Sequence, residues 1–218
     1  MYERMLDGEN LTAPLPEQRA SPRLTMLIRT AKIISSSGEF LCVVRDASEG
    51  GLRVKTFHPL PVDVRVILEL GSGERYAVEK IWEQGDSAGF RFEDPVDLER
   101  FLREAPPGLR KRQVRLCCPL AATLWSAGEP HPVVLRDISQ QGAGVHCQKH
   151  LAMDERVRLE IENMPVIYAK VRWRRHGLFG LIFEETFRLD ELARLTAPLQ
   201  IGRGQGADMA RTAAGARR

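Results

Sequence analysis

Arg45-Asp46-Ala47-Ser48-Glu49-Gly50-Gly51 follows the apolar run Leu41-Cys42-Val43-Val44, and Arg136-Asp137-Ile138-Ser139-Gln140-Gln141-Gly142 follows Val133-Val134-Leu135. The two stretches stand 91 residues apart, and the register holds outward from them without a gap. Leu60, Asp63, Arg65, Val66, Leu68 and Glu69 meet Leu151, Asp154, Arg156, Val157, Leu159 and Glu160, and Trp82, Gly89, Phe92 and Glu93 meet Trp173, Gly180, Phe183 and Glu184. Over residues 45–104 there are 17 identities in 60 pairs, where ordinary composition would give about four. The chain is therefore a tandem duplication of one small unit.

Within each copy the period is two. Val64, Val66, Leu68 and Leu70 alternate with Arg65, Ile67 and Glu69, as Val157, Leu159 and Ile161 alternate with Arg156, Arg158 and Glu160, the pattern of half-buried strands. Turns are expected at Gly71-Ser72-Gly73 and near Gly85-Asp86-Ser87. Between them Tyr76, Val78 and Trp82 share the parity of Ile167, Ala169, Val171 and Trp173, with Lys80 as the break in the pattern, so both tryptophans read as core. The period then changes. Asp94-Pro95 is the expected helix start, and Leu98, Phe101 and Leu102 fall at helical spacing, as Leu189, Leu192 and Ala193 do. Short strands closed by one helix predict a mainly β chain of two small antiparallel barrels in tandem, each followed by a short C-terminal helix. Closure removes exposed sheet edges, which suits so small a core. The expected boundaries are an extended arm over 1–18, a first unit over 19–105, a Pro/Gly linker over 106–109, a second unit over 110–200 and a disordered basic tail over 201–218.

The 218 residues carry 32 Lys and Arg against 29 Asp and Glu. The surplus of three equals that of residues 202–218, where Arg203, Arg211, Arg217 and Arg218 face Asp208 alone. The rest is neutral, so no general basic field suits DNA or RNA, and an anion site must be local. The longest uncharged run, Leu116 to Gly128, has 13 residues, well short of the roughly 20 that span a bilayer. With no secretory leader at the start, a cytoplasmic protein is expected. Cys42, Cys117, Cys118 and Cys147 form no CxxC pair and read as reduced thiols, several of them buried.

Asp-x-Ser-x-x-Gly places an acceptor and a hydroxyl two residues apart beside a residue that lets the backbone turn. Alone it is a common hairpin loop. A partner lies upstream: Arg19 and Arg23 form an RxxxR pair beginning 27 residues before Asp46. Guanidinium groups bind phosphate oxygens in a fork, meet the O6 and N7 edge of guanine, and stack on purines. RxxxR followed by DxSxxG, on a small barrel whose later hairpin ends Gly-Phe-Arg-Phe-Glu, resembles the PilZ domain family over about residues 19–104 and 110–197. The resemblance implies six-stranded antiparallel barrels that bind cyclic di-GMP without catalysis. Arg19 and Arg23 would hold phosphate and guanine edges, Asp46 and Ser48 would hold the base, and Gly51 would keep the turn open.

The second copy keeps Asp137, Ser139 and Gly142 but reads Arg110-Lys111-Arg112-Gln113-Val114-Arg115 upstream. Aligning on Arg115 puts Lys111 at the first arginine, whereas the 91-residue register aligns Arg110 with Arg19 and implies a one-residue insertion. Lysine lacks the planar fork. The first copy is thus the expected main site, with Lys111, Arg112 and Arg115 the contacts of the second. Arg45 and Arg136 recur at strand ends as exposed charges. His146-Cys147-x-x-His150 has zinc-ligand types with no clear fourth ligand. No metal, cofactor or catalytic group is expected, since no His is tied to either serine. The expected function is a cyclic di-GMP receptor that binds mainly in the first unit and relays the signal by rearrangement of its domains or of a downstream protein partner; a ligand-independent interaction scaffold is the alternative.

Overall fold

The computed structural model describes residues 24–102 and 113–201. The first copy folds as β1 (Leu24–Ser35), β2 (Gly38–Ser48), β3 (Gly51–Lys55), β4 (Arg65–Leu70), β5 (Arg75–Gln84) and β6 (Ser87–Phe92), followed by the helix α1 (Leu98–Leu102). The second repeats the order as β7 (Leu116–Ser126), β8 (Glu129–Ser139), β9 (Gly142–Cys147), β10 (Arg156–Glu160), β11 (Ile167–Arg175) and β12 (Leu178–Phe183), with a helix over 189–201, α2. Each set of six strands closes into an antiparallel barrel, ordered β1-β2-β3-β6-β5-β4 and β10-β11-β12-β9-β8-β7.

The alternation read in the sequence becomes the barrel interior. Val66, Leu68, Leu70 and Val78 pack inside the first barrel with Val44, Val54 and Phe90, while Val157, Leu159, Ala169 and Val171 pack inside the second. Gly85-Asp86 forms a two-residue β5–β6 turn with Gly85 at φ 58°, the left-handed conformation that glycine adopts without strain. Helix α1 begins later than Asp94-Pro95 suggested, because Asp97 caps it by accepting the Arg100 backbone N–H at 3.2 Å. Its Phe101 is buried in edge-to-face contact with Tyr76 and Phe92, at centroid distances of 5.2 and 5.6 Å. In α2, Leu192 and Ala193 face the second core. Cys42, Cys118 and Cys147 are buried and Cys117 is exposed; burial pushes the Cys42 thiol up to about 12.

The tryptophans correct the sequence expectation: Trp82 is 42% exposed and Trp173 is 44%. Register shifts between Lys80 and Trp82, and between Val171 and Trp173, insert one extra residue into each strand. A bulge of this kind reverses parity, so a residue in phase with the buried Val78 or Val171 emerges outside. There each indole lies flat on the glycine paired with it across the strands, Gly89 or Gly180, where any Cβ would collide with the ring.

The two barrels touch through β2. Phe40, Leu41, Cys42, Val43 and Val44 are all buried, because one face of the strand meets its own barrel while Leu41 joins the core cluster of the second, with Phe57 packed against that cluster. Polar bonds close the contact: Glu39 Oε2 accepts the Cys117 backbone N–H at 2.7 Å, and Lys32 Nζ donates to the Arg115 carbonyl at 3.0 Å.

Candidate functional site

Asp46 and Asp137 reach the outside of their barrels through a second pair of bulges. Strand alternation would send them inward with Val44 and Leu135. The register shifts between Val44 and Asp46 and between Leu135 and Asp137 leave Arg45 and Arg136 as the extra residues. Ala47 and Ile138 then fill the core in place of the acids. The recurrent arginines are therefore bulge residues. Arg136 is exposed, whereas Arg45 lines a cleft of about 680 Å³ that spans the first barrel and the start of α2.

The serine and glycine of each motif close the turn. Ser48 Oγ donates to the Gly51 carbonyl at 3.3 Å and Ser139 Oγ to the Gly142 carbonyl at 3.1 Å. A Cβ at Gly51 would stand 2.6 Å from the Phe90 carbonyl oxygen, and one at Gly142 closer still to that of Leu181. Adjacent strands approach there too closely for any side chain.

Each acid meets a guanidinium, from a different place in each barrel. Arg53, directly across from Asp46 on β3, donates from Nε to Asp46 Oδ2 at 2.6 Å. Asp137 faces Gly144 instead and is paired with Arg115 Nη1. Gly144 makes that placement feasible, since a Cβ there would lie 2.6 Å from Asp137 Oδ2. Arg53 and Gly144 were not singled out in the sequence. The available signal was their offset of seven residues from each aspartate, which antiparallel pairing across a two-residue turn converts into direct opposition.

Arg19, Arg23, Lys111 and Arg112 lie outside the described residues. The backbone nonetheless resolves how the copies correspond. Leu24 pairs with Ala47 as Leu116 pairs with Ile138, and Arg29 pairs with Val44 as Leu120 pairs with Leu135. Three residues separate Thr25 from Arg29 across the β1 bulge, but only two separate Cys117 from Leu120. The extra residue sits in the first copy, so Arg115 corresponds to Arg23 and Lys111 to Arg19. The second copy carries KxxxR.

His146 and Cys147 stand on opposite faces of β9, the histidine exposed and the thiol buried, and His150 is bonded to Arg174. Among the described residues no three His, Cys, Asp or Glu side chains gather as metal ligands do, and no helix is long and apolar enough to cross a membrane.

No curated protein sequence matches the chain. Similar solved structures include the PlzA protein of Borreliella burgdorferi in complex with c-di-GMP, at 14% identity over 82% of this chain and 93% of that one, TM-score 0.35. Others are the inhibitor of motility MotI/DgrA of Bacillus subtilis, at 15% over 88% and 99%, TM-score 0.33, and YcgR of Escherichia coli in complex with c-di-GMP, at 12% over 84% and 88%, TM-score 0.31. Residues 109–197 match the family described as PilZ domain. That span holds Arg115, the Asp137-x-Ser139-x-x-Gly142 turn and the whole second barrel, so it is the second barrel that matches the PilZ domain family.

Proposed function

We propose that the chain is a non-catalytic receptor for cyclic di-GMP. The observation that carries this reading is the Arg115–Asp137 pair beside the Ser139–Gly142 turn, within the span that matches the PilZ family. A carboxylate turned out of a barrel and a half-exposed guanidinium held against it offer what a guanine and its phosphate need: an acceptor for ring N–H groups and a forked donor for anionic oxygen. Lys111 and Arg112, and in the first copy Arg19 and Arg23, would complete the ligand shell. The dianionic ligand draws on these local cations, so the neutral body is no obstacle.

One observation favours the scaffold reading. Both motif serines already spend their hydroxyls on the turn, which a barrel needs whether or not it binds ligand.

Calorimetric titration of the purified chain with cyclic di-GMP, with GMP as control, separates the two. Saturable binding is expected, and Arg115→Ala should weaken it by about 1.5–3 kcal/mol, roughly 10- to 150-fold, as expected for one charge-assisted hydrogen bond. Silence at about 100 µM ligand, where even an affinity of about −6 kcal/mol registers, would remove the receptor reading and leave the scaffold. Titration with duplex DNA at two salt concentrations tests nucleic-acid binding, which would weaken steeply as salt rises.

A further inference from the structure

The geometry points to Arg53 as an internal occupant of the first barrel's base site, which leaves the second barrel as the open one. This inference rests on the receptor reading above. The sequence favours the first copy, which holds the full RxxxR pair, yet the two acids differ in availability. The Asp46 side chain is 4% exposed and is bonded through Oδ2 to Arg53 Nε at 2.6 Å, whereas that of Asp137 is 35% exposed. The chemistry of the partner matters. A guanidinium offers a carboxylate neighbouring N–H donors in one plane, and the N1–H and N2–H edge of guanine offers the same arrangement. Arg53 meets Asp46 through one such donor, Nε to Oδ2, and so takes a carboxylate oxygen that a ligand base would bind.

The position is built for this. Arg53 is the direct cross-strand neighbour of Asp46, where side chains of an antiparallel pair meet, and it reaches the acid while its own side chain stays 48% exposed. Across from Asp137 the same position is Gly144, which has no side chain to offer and no room for one beside Asp137 Oδ2. The arginine that does touch Asp137, Arg115, comes from the segment equivalent to the ligand-binding arginines, so it remains with the site when a ligand enters. A ligand at the first barrel must displace Arg53; a ligand at the second displaces no such competitor. The residue seven positions after the motif aspartate therefore sets which barrel answers first.

The test is calorimetry of the full chain with cyclic di-GMP on wild type, Arg53→Gly, Arg53→Gln and Gly144→Arg, each checked by thermal unfolding. Wild type should show a tight phase that Asp137→Ala removes, and a second phase roughly 10- to 150-fold weaker, the size of one charge-assisted hydrogen bond. Arg53→Gly should bring the weak phase up to the strong one, and Arg53→Gln, which keeps the strand occupied without the charge, should do so in part. Gly144→Arg should push the tight phase down. Two phases that stay apart in both folded Arg53 variants, or two equal phases in wild type, would overturn the lock while leaving the receptor standing. Absence of heat in every variant would overturn the receptor itself and the lock with it.

Discussion

Strands β2 and β8 descend from one ancestral strand and have taken opposite surroundings. In β2 five consecutive residues from Phe40 to Val44 are buried, whereas in β8 the pattern alternates and Val134 is 46% exposed where its counterpart Val43 is 6% exposed. A strand alternates when one face meets water and loses its alternation when both faces are covered. The second barrel covers β2, and among the described residues nothing covers β8. The substitutions agree with this. Leu41 and Phe57, which enter the second barrel's cluster, correspond to Pro132 and Gln148. Of the two equivalent faces, only that of the first copy carries the apolar residues of an interface.

The largest effect expected from breaking this asymmetry is at Lys32. Its ammonium is buried, 2.9 Å from Glu39 and 3.1 Å from Glu69, and reaches the Arg115 carbonyl. The matching residues in the second copy are Thr123, Pro130 and Glu160, so the cluster is confined to the joined face. Lys32→Met leaves the part-buried Glu39 without its cation beside Glu69, which keeps Arg75, and a loss of roughly 3–5 kcal/mol is expected. Thr123→Met should stay within about 0.5 kcal/mol of wild type. Urea unfolding of both variants checks the contrast, and equal losses would contradict the placement of Lys32 in the contact.

Next in size is the apolar side of the same face. Leu41→Ala empties a fully buried site shared by two barrels and should cost about 2–4 kcal/mol. Val134→Ala removes an exposed side chain and should cost under about 0.5 kcal/mol. If the barrels part before they unfold, limited proteolysis of Leu41→Ala should cut between them first, and a single concerted loss of both barrels would show that they unfold as one unit.

Much of this architecture was legible in the residues. Ungapped self-similarity revealed two units, and period-two alternation with glycine turns revealed a small barrel, since both follow from which side chains avoid water. Bulges were not legible. An inserted residue leaves composition and spacing intact while reversing every side chain beyond it, and so Trp82 and Trp173 were read into the core. For the same reason Asp46 and Asp137 share the parity of core residues and still stand outside. The apolar run at Leu41–Val44 was visible as a strand, but two-sided burial needs a second body, and a local pattern does not say which one. The DxSxxG residues of the candidate site are legible as a motif, whereas Arg53 and Gly144 emerge only once strand pairing sets them opposite the acids.

A smaller effect should appear where the two copies agree. Trp82 and Trp173 make the same half-exposed contact with Gly89 and Gly180, so Trp82→Ala and Trp173→Ala should each cost about 1–2 kcal/mol, below the 3–5 typical of a buried aromatic. Near-equal losses in urea unfolding are the sign of a shared barrel element. A loss at Trp82 several times that at Trp173 would instead tie the first indole to the contact between barrels.

The smallest expected effect is a pH dependence confined to the first barrel. The His58 ring lies 5.2 Å from that of the buried Phe40, tilted by 51°, and burial holds its imidazole below the usual 6.5, against raising contributions from the Pro59 carbonyl and Glu83. A histidine whose folded value is depressed favours the fold while neutral, so that stability is fully present above the unfolded value and is lost as pH falls through the folded one. The corresponding residue in the second copy is Lys149, which is paired with Glu129 at 3.3 Å and carries no imidazole. Melting temperature measured from pH 7.5 down to 5.5 should therefore fall more for wild type than for His58→Phe, which keeps the ring against Phe40 and removes the proton. Parallel curves for the two proteins would mean that His58 takes up its proton without loss, and that the contact beneath it tolerates a charge.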